Sequence, residues 1–243
     1  MKVQQAIFVT LLLFGFNGFT QTGEKEPLKA SANVQLTNNG VSLFPNLSLG
    51  KPAAIINVSL AKKRISFEPE LRWGLNGKPW SYIFWMRYRY NSDKFSLRLG
   101  AHPSYVFGEQ TVEINNQEVS RFITTRYAAG EISPGYRFSP KVNVNFHYLH
   151  AIGLDDYGVK SSNFYALQPQ FTGLGVGKDY YFNFFPQIFY LELGDNAGSY
   201  VSETLTFNKK DFPIYLSHMM TYKLKSDIAG DDFVWSLGLN VKF

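Results

Sequence analysis

The chain has 243 residues, is 45% hydrophobic and 17% aromatic, carries a formal net charge of +5 and contains no cysteine. That length holds one or two domains with a sizeable apolar core. Without cysteine there is no disulfide framework, cysteine-ligated zinc, thiol catalysis or lipidated N-terminal cysteine. The basic excess is spread along the chain without a Lys/Arg cluster, which argues against nucleic acid as a partner.

At the N-terminus Lys2 precedes the apolar run AIFVTLLLFGF (6–16), which gives way to the polar NGFTQTGEKE. This zoning is that of a secretory signal peptide over residues 1–20, cleaved near Thr20 or Gln21. The run is shorter than the roughly 18–20 apolar residues of a spanning helix, and no second such run follows. Residues 21–40 read as a loosely ordered lead-in to a domain over 41–243.

From residue 41 onward nearly every segment reads as strand. The candidates run 41–50, 53–61, 64–75, 80–90, 94–107, 121–138, 141–153, 163–176, 179–193, 199–208, 211–225 and 232–243. The expected count is twelve, with ten or fourteen as alternatives, because 41–50 and 194–211 carry the weakest patterns. Tight connectors (AKKR, NSDK, SPK, GKD, NKKD) alternate with longer polar ones, notably 108–121, 154–162, 194–199 and 225–232. LNGKP (75–79) and GKP (50–52) are short for the second group.

Side chains alternate as they do on half-polar strands. In the last segment Phe233, Trp235, Leu237, Leu239, Val241 and Phe243 oppose Val234, Ser236, Gly238, Asn240 and Lys242. In 80–90, Tyr82, Phe84, Met86, Tyr88 and Tyr90 oppose Ser81, Trp85, Arg87 and Arg89. The polar faces bear charges that a dry sandwich core would not tolerate. An antiparallel barrel with lipid outside and a wet or ion-paired lumen accommodates both faces. Segment 121–138 changes parity between Ile123, Thr125, Tyr127 and Ile132, Pro134, Tyr136, which predicts a bulge near Gly130.

With its signal peptide, amphipathic strands, aromatic strand ends and terminal WSLGLNVKF, the chain resembles Gram-negative outer-membrane β-barrel proteins of the porin-like kind. Its composition is similar to barrels of the Bacteroidetes group. The resemblance implies an all-β transmembrane barrel in the cell outer membrane, tight turns and both termini periplasmic, and lipid and lipopolysaccharide around the wall. It also implies recognition of the last strand, ending in Phe243, by the barrel-assembly machinery.

Alternation directs Glu68, Glu70, Arg72, Arg87, Arg89, Arg98, Arg126, Glu131 and Arg137 into the lumen. Arg72, Arg87, Arg89 and Arg98 come from three consecutive strands, an arrangement suited to binding a carboxylate or phosphate solute. The expected function is passive passage of small, anionic solutes of unknown identity. The alternative is a non-enzymatic structural or assembly protein whose glutamates pair with these arginines and close the lumen.

No enzyme is expected. Phospholipase and lipid A deacylase barrels use a His with a Ser two residues on, and only His102–Ser104 fits, on the inferred lumen face and without an acidic orienter. Protease barrels pair Asp with a loop His, but no His accompanies Asp155–Asp156 or Asp231–Asp232. His147 and His150 fall on opposite strand faces, so they make a poor metal pair, and neither a metal nor a cofactor is expected. Prolines punctuate the strands at Pro69, Pro103, Pro134 and Pro186, all on the lipid-facing parity. Each is expected to remove a ladder bond and favour a bulge or bend.

Overall fold

Alternating side chains leave each strand with one apolar and one polar face, and a closed sheet is the form that pairs every backbone group while separating those faces. The computed structural model describes residues 26–243 apart from 43, 115, 116 and 157, so the signal-peptide segment lies outside the described residues. Its strands are β1 (Lys29–Thr37), β2 (Ala53–Lys62), β3 (Ile65–Gly74), β4 (Pro79–Asn91), β5 (Phe95–Ile114) and β6 (Gln117–Ser139). The remainder are β7 (Val142–Gly153), β8 (Ser161–Val176), β9 (Tyr180–Leu193), β10 (Asn196–Lys209), β11 (Ile214–Ser226) and β12 (Phe233–Lys242). Every strand is antiparallel to its chain neighbours, and β1 closes the twelve-stranded barrel against β12.

Three boundaries differ from the sequence expectation. The first strand lies inside the expected lead-in over 21–40, whereas 41–50 belongs to a connector with a 3-10 turn at Pro45–Leu47. Its short alternation, with Asn33, Gln35 and Thr37 inward, is a weak signal beside the more apolar VSLFPNLSLG. Of the polar stretch 108–121, residues 108–114 and 117–121 are strand, because the β5–β6 ladder continues to Ile114↔Gln117. Val106 is the highest β5 partner of β4, and Tyr127 the highest β6 partner of β7, so this hairpin projects as a ribbon past both neighbours. Finally, 194–199 shrinks to a two-residue turn between Leu193 and Asn196.

The expected bulge near Gly130 is absent. Register is constant from Phe95↔Tyr136 to Ile114↔Gln117, so odd positions of β6 face inward throughout and even ones outward. Register shifts occur instead at Arg72/Trp73, Arg137/Ser139, Phe171/Leu174 and Ser199/Tyr200.

The prolines act in a related but different way. Pairing lapses opposite Pro69 between Asn57↔Glu70 and Leu60↔Phe67, and opposite Pro103 between Ile83↔Ser104 and Met86↔Ala101. It lapses again at Pro134, between Ile132↔Tyr148 and Gly135↔Asn145, and at Pro169 with Pro186, between Leu167↔Ile188 and Phe171↔Phe184. In each case the ladder resumes in the same register, and the proline's other side stays paired. A proline lacks the N–H that one side of the ladder needs, and an outward pyrrolidine ring needs no extra residue to fit. The result is a belt of opened ladder without bulges.

The outward face is apolar: on β12, Trp235 and Leu237 are 44% and 53% exposed, whereas inward Ser236 and Asn240 are buried. Inside, at the long-connector end, inward Phe164, Ala166, Phe189, Leu191, Leu193 and Tyr200 form a buried cluster with Ile228. Phe44 from the β1–β2 connector and Val159 from the β7–β8 connector pack onto it. Phe44 and Phe164 lie 6.0 Å apart, and the Trp80 indole donates to Leu47 O at 2.8 Å. An apolar cap thus covers part of the mouth.

Candidate functional site

The inward positions beside the opened ladder carry the lumen's charges. Arg87 on β4 donates to Glu68 of β3 at 2.6 Å and to Glu131 of β6 at 2.7 Å, bridging two carboxylates. Arg89 adds a second guanidinium on Glu68 at 2.6 Å and donates to Ser66 Oγ at 2.5 Å. Arg98 on β5 reaches Glu131 at 2.9 Å, and its Nη2 lies 3.2 Å from His147 Nδ1 on β7. His147 continues to Ser133 at 2.9 Å and to Gln168 of β8 at 3.4 Å. Glu70 pairs with Arg72. The lattice therefore spans β3 to β8, one half of the barrel's circumference.

A glycine makes room for it. A Cβ on Gly100 would lie 2.9 Å from both Cγ and Oε1 of Glu131 and 3.1 Å from Arg87 Cγ. Two guanidiniums sit over indole rings: Arg87 Cζ lies 3.9 Å from the Trp85 ring centre and Arg72 Cζ 4.8 Å from that of Trp80. A cation over an aromatic face is held there by the ring's quadrupole.

Of the residues expected in the lumen, Glu68, Glu70, Arg72, Arg87, Arg89 and Arg98 converge in this lattice, with Glu131. Arg137 has inward parity but is exposed near the β6–β7 turn and stands apart. Arg126 is a correction. With no bulge in β6 it faces outward at the rim, where it donates to Asp155 Oδ1 at 2.6 Å from Nη2 and to Asp155 Oδ2 at 2.6 Å from its backbone N–H. That guanidinium and backbone N–H hold the Asp155 carboxyl below the usual aspartate range.

Asp156 pairs with Lys160 at 2.9 Å and Asp232 with Lys223 at 2.6 Å, so these carboxylates serve as connector ion pairs. His102 and Ser104 are buried on the inward face, with the His102 ring 4.1 Å from that of Trp85. Among the described residues, no group of three or more His, Asp or Glu is placed to hold a metal ion.

Sequence reasoning missed the Arg72–Trp80 and Arg87–Trp85 stacks and the cap. The available signals were the cross-strand tryptophans and the apolar run VSLFPNLSLG, whose alternation serves a lid on the lumen.

Three cavities occupy the lumen. The first, about 410 Å³, lies between the cap and the lattice and is lined by Phe44, Arg72, Trp80, Arg87 and Glu131. The second, about 560 Å³, opens toward the short-turn end, lined by Glu68, Arg89, Lys242 and Phe243. A third, about 260 Å³, runs along β1, β2 and β10–β12. It shares Thr204 and Met219 with the first cavity and Asn33, Asn57 and Tyr215 with the second. The cavities therefore adjoin on the wall opposite the lattice.

No protein-family pattern matches this sequence, and no curated protein matches it. Solved structures do match the fold. The chain is similar to the KdgM porin, determined in complex with disordered oligogalacturonate, with a TM-score of 0.57 and 10% identity over 88% of this chain and 99% of that one. It is also similar to an outer-membrane channel of Pseudomonas putida, with a TM-score of 0.52 and 12% identity over 92% and 99% of the two chains. The architecture is that of outer-membrane channel barrels.

Proposed function

We propose that this protein is an outer-membrane channel for small solutes, with a preference for anions. The observation that carries the reading is the sequence of three neighbouring cavities with shared lining residues, which extends from the short-turn end to the cap along the wall opposite the arginine lattice. The lattice holds four guanidiniums (Arg72, Arg87, Arg89, Arg98) against three carboxylates (Glu68, Glu70, Glu131), leaving one positive charge in excess. In a narrow passage with low-dielectric walls, such an excess concentrates anions. The likeness to a porin determined with oligogalacturonate, an acidic saccharide, supports the same sign of solute. The apolar outward face supports residence in a bilayer, and strands of 9–16 residues outside the long β5–β6 hairpin are long enough to cross it.

On this reading the protein is exported by its N-terminal signal, the short turns are periplasmic, and the last strand with Phe243 is what the barrel-assembly machinery engages. A non-enzymatic barrel with a closed lumen is the second reading, favoured by the pairing of every lattice arginine and by the Phe44 cap. Single-channel recording in planar bilayers separates the two. A channel gives discrete conductance steps and an anion-selective reversal potential that moves toward cations in Arg87→Ala/Arg89→Ala. Absence of steps in both proteins overturns the channel reading.

A further inference from the structure

The cavity beneath the cap has two unlike walls. On the β3–β4 side stand Arg72 and Ser81, directly paired across the strands, with Trp80 behind the guanidinium. On the β7–β9 side Leu149, Phe164 and Leu193 line the part next to the cap, with His147, Gln168 and Gln187 farther from it, and Phe44 and Leu47 close the top. Among the described residues, Arg72 Nε, Ser81 Oγ and His102 Nδ1 are buried without a hydrogen-bond partner, and all three residues line this cavity. Ser81 and His102 are 4% and 9% exposed. Buried polar groups left unpaired are costly, so three in one cavity mark a place where a ligand or water completes the bonding.

The charges define the ligand further. Arg72, Arg87 and Arg98 line the cavity against Glu70 and Glu131, so with its histidines neutral it has one positive charge to spare. One negative charge balances it, whereas a dianion leaves an excess of the opposite sign in a site of low dielectric.

We infer that the cavity is a saturable binding site for a monocarboxylate with a compact apolar body. The carboxylate lies at Arg72 and Ser81, and the apolar body spans to Phe164 and Leu193 beneath Phe44. A planar carboxylate matches the donor geometry of a guanidinium, here Arg72 held over the Trp80 ring. Against the apolar stretch of Leu149, Phe164 and Leu193 beneath the cap, a uniformly hydroxylated solute would lose its water without replacement bonds. A cavity of about 410 Å³ is within the range of small-molecule sites. This inference deepens the channel reading and rests on it for its biological sense, but it is tested without it.

The test is isothermal titration of the full chain, refolded in detergent micelles, with phenylacetate. Parallel titrations use the neutral 2-phenylethanol, the polar monoanion gluconate and the dianion phthalate. Saturable phenylacetate binding is expected, with each comparison compound at least roughly tenfold weaker. Arg72→Gln should weaken phenylacetate to the level of 2-phenylethanol. Phe44→Ala, in a connector outside the wall, should weaken it without affecting barrel formation, read as heat-modifiable gel mobility. Equal binding of gluconate, or no saturable binding of phenylacetate by the folded wild-type barrel, overturns the inference. Conductance measured on the same preparations reports the channel reading separately: steps without binding remove the site alone, and binding without steps removes the channel alone.

Discussion

Glu203 and His218 meet at 3.0 Å on the outward face of the barrel, halfway along β10, among Val201, Leu205, Leu216 and Met220. Among the described residues, no other acidic and basic side chains meet on the outward face of these two strands. A charge facing hydrocarbon costs about 2–4 kcal/mol at the midplane for a cation and less for a carboxylate. Replacing both residues with leucine is therefore expected to stabilise the protein in phospholipid vesicles, by roughly 1–2 kcal/mol of unfolding free energy. Urea unfolding of the double variant measures it. A loss of stability would place the pair against something other than lipid tails.

Arg87 is the bridge between Glu68 and Glu131 and is largely enclosed. Arg87→Met leaves both carboxylates short of a partner and is expected to cost about 3 kcal/mol. Arg89→Met, at a more exposed position on a carboxylate that keeps Arg87, should cost clearly less. Equal costs in vesicle unfolding would deny the bridging role.

Gly100→Ala tests the same lattice through space. The new methyl occupies the volume of the Glu131 carboxylate, 2.9 Å away, and drives it from Arg87 and Arg98. Freed guanidiniums should shift the reversal potential under a salt gradient further toward anions. An unchanged potential, with the barrel folded, counts against a lattice that sets the lumen's charge.

At the rim, Asp155 has its carboxyl held below the ordinary aspartate value by Arg126. A depressed carboxyl pKa in the folded state adds stability that is complete above the ordinary value, near pH 4, and is lost as pH falls through the folded value. Hydrogen-exchange protection in the β7–β8 connector, taken relative to the intrinsic rate at each pH, should therefore be high at neutral pH and fall only below about pH 4. Asp155→Asn should remove that pH step. A step that survives the substitution assigns the connector's order to another group.

Much of this architecture was legible because alternation is a local property. Eleven of the twelve strands, the tight turns and the inward placing of Glu68, Arg87, Arg89 and Arg98 follow from counting by two along the strands. Arg126 was misplaced because a face change was inferred from apolar Ile123 and Tyr127, which share the inward parity throughout, Tyr127 lining the first cavity and Ile123 lying in the projecting ribbon. Inward apolar residues are correct there because the connectors fold down and need a surface to pack on, a tertiary fact that strand periodicity does not carry. The same cause hid the cap: VSLFPNLSLG alternates like a strand, but Phe44 packs on Phe164 and the Leu47 backbone carbonyl accepts from the Trp80 indole. The prolines were placed on the correct face, yet opened ladder replaced the expected bulges, since losing an N–H requires no added residue.

The β1–β12 seam has a kinetic consequence. It has five residue pairs, Asn33↔Lys242 to Thr37↔Gly238, against twenty in the β5–β6 ribbon. Those five pairs join the two ends of the described chain, so their contacts carry the largest loop-closure entropy in the molecule and the least pairing to offset it. The hairpins can each form from neighbouring sequence, but the cylinder exists only once this last, weakest junction zips. It is expected to be the final pairing made in assembly and the first lost in unfolding, the hinge about which the whole wall would open as a single curved sheet.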